Sequence, residues 1–475
     1  MTGAELNRYL TLEGVLRVGL PSRPPAEFTP PPLTVDFTVG KIIEAENLEP
    51  HASFGFTVEN LSRGVLVAGG SLNERLNTAI KIIEGAAKLG WSHLVATNEN
   101  VNVIKSLVPP ARVYDGFPLN PLDPEDASPP DYGSTLALLL QSALGLSDVQ
   151  AEILQDALNM CYDEGALSLI DLKEKVREAS MSDLRSPAER REAERLHRTL
   201  GLLLSLKGVE KLTPAQPLKL AWLTGEPVAA RLPSPILAAV AQASLMAKAL
   251  TSSLRGFSVV VELDSFKDTE PLAWVFDKLK EKGVGVLALT SNLSSHLNTV
   301  KKLENRVVHK LSDGAETFLA GSLIGLREEA ASVQSDRRQR LYQREALRYL
   351  GWGEAVVQRS DAPSPMLVVF SNALKAPSVE AEPLPTVEGR TPLQVDFGSV
   401  AEDALRVLQL VYEFPQITLS QIVGGLPEVG EMARELALRL KDRGYLASYR
   451  DRRGRHVFTV TRKGEEALRG GGRWV

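Results

Sequence analysis

Cysteine is almost absent from this chain. A single residue, Cys161, stands among 475, so no internal disulfide is possible, and its helical surroundings fit a small core filler. A reducing, cytoplasmic setting is the simplest expectation. Long uncharged apolar runs are also missing. The most apolar stretch, Ile236–Leu254, carries Gln242, Lys248 and many alanines, which suits a buried helix better than a membrane span. The chain opens on no basic–apolar–cleavage pattern, so no signal peptide is expected. Basic charge is not in excess: the formal net charge is −5, which excludes a polybasic coat and makes any basic surface local. The six histidines, at 51, 93, 197, 296, 309 and 456, lack metal-ligand spacing, so no metal site is expected. No G-x-S-x-G elbow occurs, and Gly69-Gly70-Ser71 is not a dinucleotide fingerprint. Ser294-Ser295-His296 reads as a loop.

The length implies roughly two to four domains. Residues 1–35 hold the proline-rich PSRPPAEFTPPPL, read as an extended arm or linker. Over 36–375, short apolar strands alternate with helices. Candidate strands are Gly64–Ala68, Ser92–Thr97, Arg112–Tyr114, Ser258–Leu263, Gly285–Thr290, Arg306–Lys310 and Pro365–Phe370. This pattern predicts an α/β fold: a mostly parallel sheet with helices on both faces. An all-α insertion is expected over about 132–206, where helical periodicity is unbroken. Its Ser180–Arg198 stretch is charge-dense and reads as a solvated face. A Pro/Glu-rich linker spans 376–397. Residues 398–475 read as three helices, a basic hairpin and a closing helix, the layout of a winged helix-turn-helix.

The stretch Leu61–Glu84, LSRGVLVAGGSLNERLNTAIKIIE, has the plan of a phosphate-binding strand–loop–helix. In G-x-x-x-x-G-K-[ST], backbone N–H groups wrap the phosphates, the lysine neutralises them and the hydroxyl holds Mg²⁺. Counted from Gly69, with Gly70 and Ser71 in the turn, the second glycine is Glu74, the lysine is Arg75 and the Ser/Thr is Leu76. Arg75 is expected to face solvent or to pair with Glu74.

Further strings follow in order: HLVATNENVNV, FPLNPLDPE (Phe117 to Glu125), SVVVELDSF and GVGVLALTSNLSSHL. Together with the first, they make about Val35 to Leu326 resemble the HerA–FtsK group of hexameric DNA-translocating ATPases, including the ATPases of conjugation and type IV secretion. The resemblance implies a RecA-like P-loop fold and oligomerisation, with sites between subunits. It puts Glu262 and Leu263 at the Walker B pair, and Thr290 at a position near the γ-phosphate with Ser291 replacing a glutamine. A glycine, a lysine, a hydroxyl and a general base are thus all replaced, so a degenerate site and no bound cofactor are expected; ATP and Mg²⁺ enter only if the site is still active. Asn120 is read as structuring its loop, Asp264-Ser265 as polar residues leaving a buried strand, and Asp268 as a helix N-cap.

The C-terminal hairpin carries Arg450, Arg452, Arg453, Arg455 and His456, followed by Arg462 and Lys463. Clustered guanidinium groups match phosphate contact. Glu428, Glu431 and Glu435 populate the first half of the preceding helix and argue against sequence readout by it. The expected partners are therefore double-stranded DNA, bound mostly non-specifically, and further subunits, either copies of itself or an active ATPase paralogue. The leading expectation is a non-hydrolysing scaffold. The alternatives are a divergent, active DNA-dependent ATPase and a winged-helix regulator with an α/β oligomerisation body.

Overall fold

The computed structural model describes residues 33–43, 50–98, 111–214, 216–326 and 346–370. Of the C-terminal part it describes 393, 397, 400–426, 429, 432–450 and 456–470. These residues group into two compact units. One comprises 1–155, 207–212 and 218–384; the other comprises 156–206, 213–217 and 385–475.

The strands of the first unit are β1 Phe37–Ile43, β2 Pro50–Phe56, β3 Val65–Ala68, β4 Ser92–Thr97, β5 Arg112–Tyr114 and β6 Val228–Arg231. They continue with β7 Phe257–Glu262, β8 Gly285–Thr290, β9 Asn305–Val308, β10 Glu354–Gln358 and β11 Met366–Phe370. They form one 11-stranded sheet, ordered β2-β1-β11-β10-β9-β3-β8-β7-β4-β6-β5. From β9 to β5 every pairing is parallel. From β9 to β2 every pairing is antiparallel. The expected strands are present within a residue or two. Those the sequence hid are β1, β2, β6 and β10. Glycine and lysine interrupt β1, proline and glycine interrupt β2, and β6 is only Val-Ala-Ala-Arg. Three of the four belong to the antiparallel flank.

The central strands read VLVA, SHLVAT and GVLALT and are buried throughout, as strands covered on both faces must be. The helices are α1 Val58–Ser62, α2 Leu72–Ala87, α3 Pro129–Leu144, α4 Asp148–Glu164, α5 Leu169–Met181, α6 Pro187–Ser205 and α7 Pro235–Thr251. After them come α8 Glu270–Glu281, α9 Leu297–Val300 and α10 Gly314–Leu323. Helix α7, rich in alanine, is buried on nearly every side and packs on α3, β4 and β7. Its Gln242 links two strands, donating to the Ala96 carbonyl (2.7 Å) and accepting from the Glu262 N–H (3.0 Å). No helix of the described residues is long and apolar enough to cross a membrane.

The second unit joins α5 and α6, which pack against each other, to the C-terminal elements. These are α11 Ala401–Glu413, β12 Ile417–Thr418, α12 Leu419–Gly425, α13 Met432–Asp442, β13 Leu446–Arg450, β14 His456–Val460 and α14 Arg462–Gly470. Strands β12, β14 and β13 form an antiparallel sheet. A core of Phe397, Leu408, Ile422, Leu436, Tyr445 and Phe458 lies among them. The sequence assigned 132–206 to the α/β body; by compactness, 156–206 groups instead with the C-terminal elements.

Candidate functional site

Strand β3 ends in a turn in which Gly69 (φ +73°) and Gly70 (φ +62°) both take left-handed backbone, a conformation glycine adopts without steric cost. The Gly69 N–H donates to the Thr290 carbonyl (3.2 Å) and the Gly70 N–H to that of Lys310 (2.8 Å), tying the turn to the ends of β8 and β9. Ser71 then caps α2. Its hydroxyl accepts from the Glu74 N–H (3.3 Å), while Glu74 Oε2 accepts from the Ser71 N–H and from its hydroxyl, both at 2.8 Å. This is a capping box, Ser-x-x-Glu. It folds the carboxylate back over the turn: a Cβ placed on Gly70 would meet Glu74 Oε2 at 3.0 Å. Glu74 Oε1 accepts from the Gly353 N–H (3.4 Å), just ahead of β10. Burial pushes the Glu74 carboxyl up, but the Ser71 N–H and hydroxyl, the nearby His309 and the Gly353 N–H together hold it below the usual range.

Arg75 is buried, so of the two expected placements, facing solvent or pairing with Glu74, it does not take the first. Its Nη1 donates to the carbonyls of Gly69 (3.0 Å) and Gly70 (2.9 Å). Leu76 is half-buried and packs on the core of the sheet. His309, fully buried, bridges Thr78 Oγ1 (2.9 Å) and the Glu354 carbonyl (2.9 Å). Nδ1 must donate to that carbonyl, so Nε2 accepts from the threonine hydroxyl. Burial lowers the basicity of its ring. Glu74→Ala removes the capping box and is expected to lower stability by about 1 kcal/mol. Glu74→Gln, which keeps an acceptor, should lower it by less; urea midpoints of the two variants check this.

At the end of β7, the Glu262 carboxylate accepts from the Thr97 hydroxyl, and Leu263 is fully buried. Asp264 forms the denser centre. Its carboxylate accepts from Thr290 Oγ1 (2.6 Å), from the Ser291 N–H and hydroxyl (both 2.7 Å) and from His296 Nε2 (3.2 Å). Burial opposes ionisation there, but the His296, Thr290 and Ser291 donors hold the Asp264 carboxyl far below its usual range. Thr290 is therefore bound to a neighbouring side chain. Sequence reading put Asp264 down as a polar residue leaving a strand. The signal available was the hydroxyl-rich end of β8, Thr290-Ser291, beside it. Asp268 accepts from the Glu270 N–H (2.9 Å), while Thr269 occupies the cap of α8.

The Phe117–Glu125 segment is a folded loop. Asn120 Oδ1 accepts from the Leu122 N–H (2.9 Å), the turn-forming role expected of it. Glu125 accepts from the Leu220 N–H (2.9 Å) and pairs with the buried Lys248 (2.8 Å), whose ammonium also lies 5.3 Å from the centre of the Tyr132 ring. Burial lowers the Lys248 pKa against the pull of Glu125.

Of the basic cluster, Arg452, Arg453 and Arg455 lie outside the described residues. Arg450 ends β13, and its backbone pairs with that of the exposed His456 at the start of β14. Arg462 is exposed. Lys463 donates to the Arg443 carbonyl (3.0 Å) and lies 4.0 Å from the centre of the Tyr445 ring, so it ties the start of α14 to the turn between α13 and β13. Glu428 and Glu431 also fall outside the described residues.

No protein-family model matches the sequence, and no curated protein matches it. Solved structures do share its fold. VirB4 of Thermoanaerobacter pseudethanolicus is 11% identical, with a TM-score of 0.53 over 73% of this chain and 99% of the other. The bacterial conjugative coupling protein TrwB, in a sulphate complex, is 12% identical with a TM-score of 0.53 over 75% of this chain and 100% of the other. TrwB in complex with the non-hydrolysable ATP analogue ADPNP is 15% identical, with a TM-score of 0.51 over the same shares. The chain thus has the RecA-like P-loop fold of these proteins.

Proposed function

We propose that this chain is a non-hydrolysing member of the HerA–FtsK-like ATPases, acting on double-stranded DNA as a scaffold or as the partner subunit of an active paralogue. The observation that carries the reading is the Glu74 carboxylate folded into the Gly-Gly turn, with the Ser71 N–H and hydroxyl already bound to it. A triphosphate with Mg²⁺ does not fit these residues. A carboxylate about 4 Å from a phosphate oxygen costs roughly 4 kcal/mol per charge pair at an effective dielectric near 20. Arg75 is engaged by loop carbonyls, and Leu76 offers no oxygen to a hard cation. Leu263, buried at the end of β7, supplies no general base. Thr290 and Ser291 are bound to Asp264.

The element order from α11 to α14, with β13 and β14 as a hairpin, supports the winged-helix reading. The arginines clustered between these strands in the sequence support contact with DNA phosphates. The same reading makes the chain an oligomer, with itself or with the paralogue, in the cytoplasm.

ATP turnover with and without duplex DNA tests the enzymatic half. None is expected, and turnover abolished by Arg75→Ala would establish the divergent ATPase instead. The DNA half predicts weak, salt-steep binding. Replacing Arg452, Arg453 and Arg455 together by alanine should flatten the log–log salt dependence by about 2–3. Preference for a defined operator would favour the regulator.

A further inference from the structure

Helix α13 occupies the place of the groove-reading helix in the winged-helix layout, and within its own unit it is not free. Its apolar side, Ala433, Leu436, Ala437 and Leu440, belongs to the core beneath it. Beside that side, Glu435 Oε1 pairs with Arg177 Nη1 of α5 at 2.5 Å. Arg439 Nη1 lies 3.7 Å from Glu174 Oε1, and the same Glu174 stands 3.5 Å from Arg177. Four charges of alternating sign thus bridge the two helices. Among the described residues, the core beneath α13 includes none from α5. A cavity of about 420 Å³ adjoins the contact, lined among others by Lys175, Glu178, Val400 and Met432. Arg177 and Glu435 keep 37% and 33% of their side-chain surface exposed, and ion pairs so exposed hold weakly. A weak contact bonded through charges, on a helix that carries the exposed Arg434 and Lys441, can be exchanged for another charged surface.

We propose that α5 is an intrachain clamp on α13, held by the Arg439–Glu174–Arg177–Glu435 chain of charges, which restricts resting contact with duplex DNA to the hairpin and yields when α13 engages phosphate. The proposal rests on the DNA-binding reading above.

Binding of a labelled duplex to the full chain, titrated against salt, tests it. Arg177→Glu places a like charge against Glu435 and Glu174 and releases the helix. Affinity should rise about tenfold, and the salt dependence should steepen by about two as further basic residues reach phosphate. Removing positive charge would by itself lower affinity, so the sign of the change separates release from plain electrostatics. The swap Arg177→Glu with Glu435→Arg, which keeps the native net charge, should return affinity to the native level. Unchanged or weakened binding by Arg177→Glu overturns the clamp.

A second arm replaces Arg177 and Glu435 by cysteine and joins them with a short bis-maleimide. Buried Cys161, its thiol pushed up to about 12, does not compete. The joined protein should bind no more tightly than the native chain, and the unjoined one should bind more tightly. Equal binding by the two overturns the clamp. Failure of every form, native included, to bind duplex overturns the DNA reading itself.

Discussion

Arg359→Leu is expected to lower the stability of the α/β unit by about 2–4 kcal/mol, the order expected when charged donors are taken from two backbone carbonyls. The side chain is fully buried. Its Nη1 donates to the Gly55 carbonyl (2.8 Å), Nη2 to the Thr34 carbonyl (2.9 Å) and Nε to Asp361 Oδ1 (2.8 Å), while Nη2 also meets Asp361 Oδ2. It joins the chain after β10 to the chain beside β1 and the end of β2, at the antiparallel flank. Leucine fills much of the volume but leaves two carbonyls without donors. Arg359→Lys, a point charge instead of a planar fork, should recover only part of the loss. A urea transition that shifts by less than about 1 kcal/mol would show that the flank does not depend on this guanidinium.

Acid is expected to weaken the fold through His93. The ring lies inside β4, fully buried, and neither nitrogen has a hydrogen-bond partner among the described residues. Burial alone pushes its pKa down from 6.5 to about 3. The unfolded chain therefore takes up a proton below about pH 6.5 that the folded chain refuses until near pH 3. This contribution is fully present above pH 6.5 and is lost progressively as the pH falls, reaching roughly 5 kcal/mol by pH 3. His93→Leu removes it. The variant should gain about 1–3 kcal/mol at neutral pH from losing an unpaired buried polar group. Its advantage should widen by about 2–3 kcal/mol more at pH 4.5. Urea midpoints for both proteins at pH 7 and 4.5 measure this; parallel pH profiles would contradict it.

Both residues show where sequence reading stops. The parallel strands other than β6 were legible because unbroken apolar runs mark strands buried on both faces. Of the antiparallel flank only β11 was, because β1 and β2 carry glycine, lysine and proline and derive their place from partners far along the chain. Arg359 belongs to that same flank. Its partners Gly55 and Thr34 lie some three hundred residues away, and no local pattern announces them. The Gly-Gly turn was legible in its plan. Glu74 was recognised as foreign to a phosphate loop, and Ser71-x-x-Glu74 carried the capping signature, yet only the fold shows the carboxylate turned onto the loop's own N–H. The loop contact of Arg75 was hidden for a related reason: its fork meets the carbonyls of Gly69 and Gly70, which two left-handed residues present to it. The Asp264 centre joins residues from different elements, β7 to the end of β8 and beyond. The chain of charges on α13 joins residues more than 250 apart.

The central claim is that the loop after β3 is closed by its own side chain. Isothermal titration of Mg·ATP into the full chain tests it most directly, beside Glu74→Gly/Arg75→Lys/Leu76→Ser, with Leu263→Glu added in a separate variant because binding and hydrolysis fail for different reasons. The native chain should give no binding heat, while the triple variant should bind and, only with Leu263→Glu, turn over. Micromolar binding of Mg·ATP by the native protein would contradict the account.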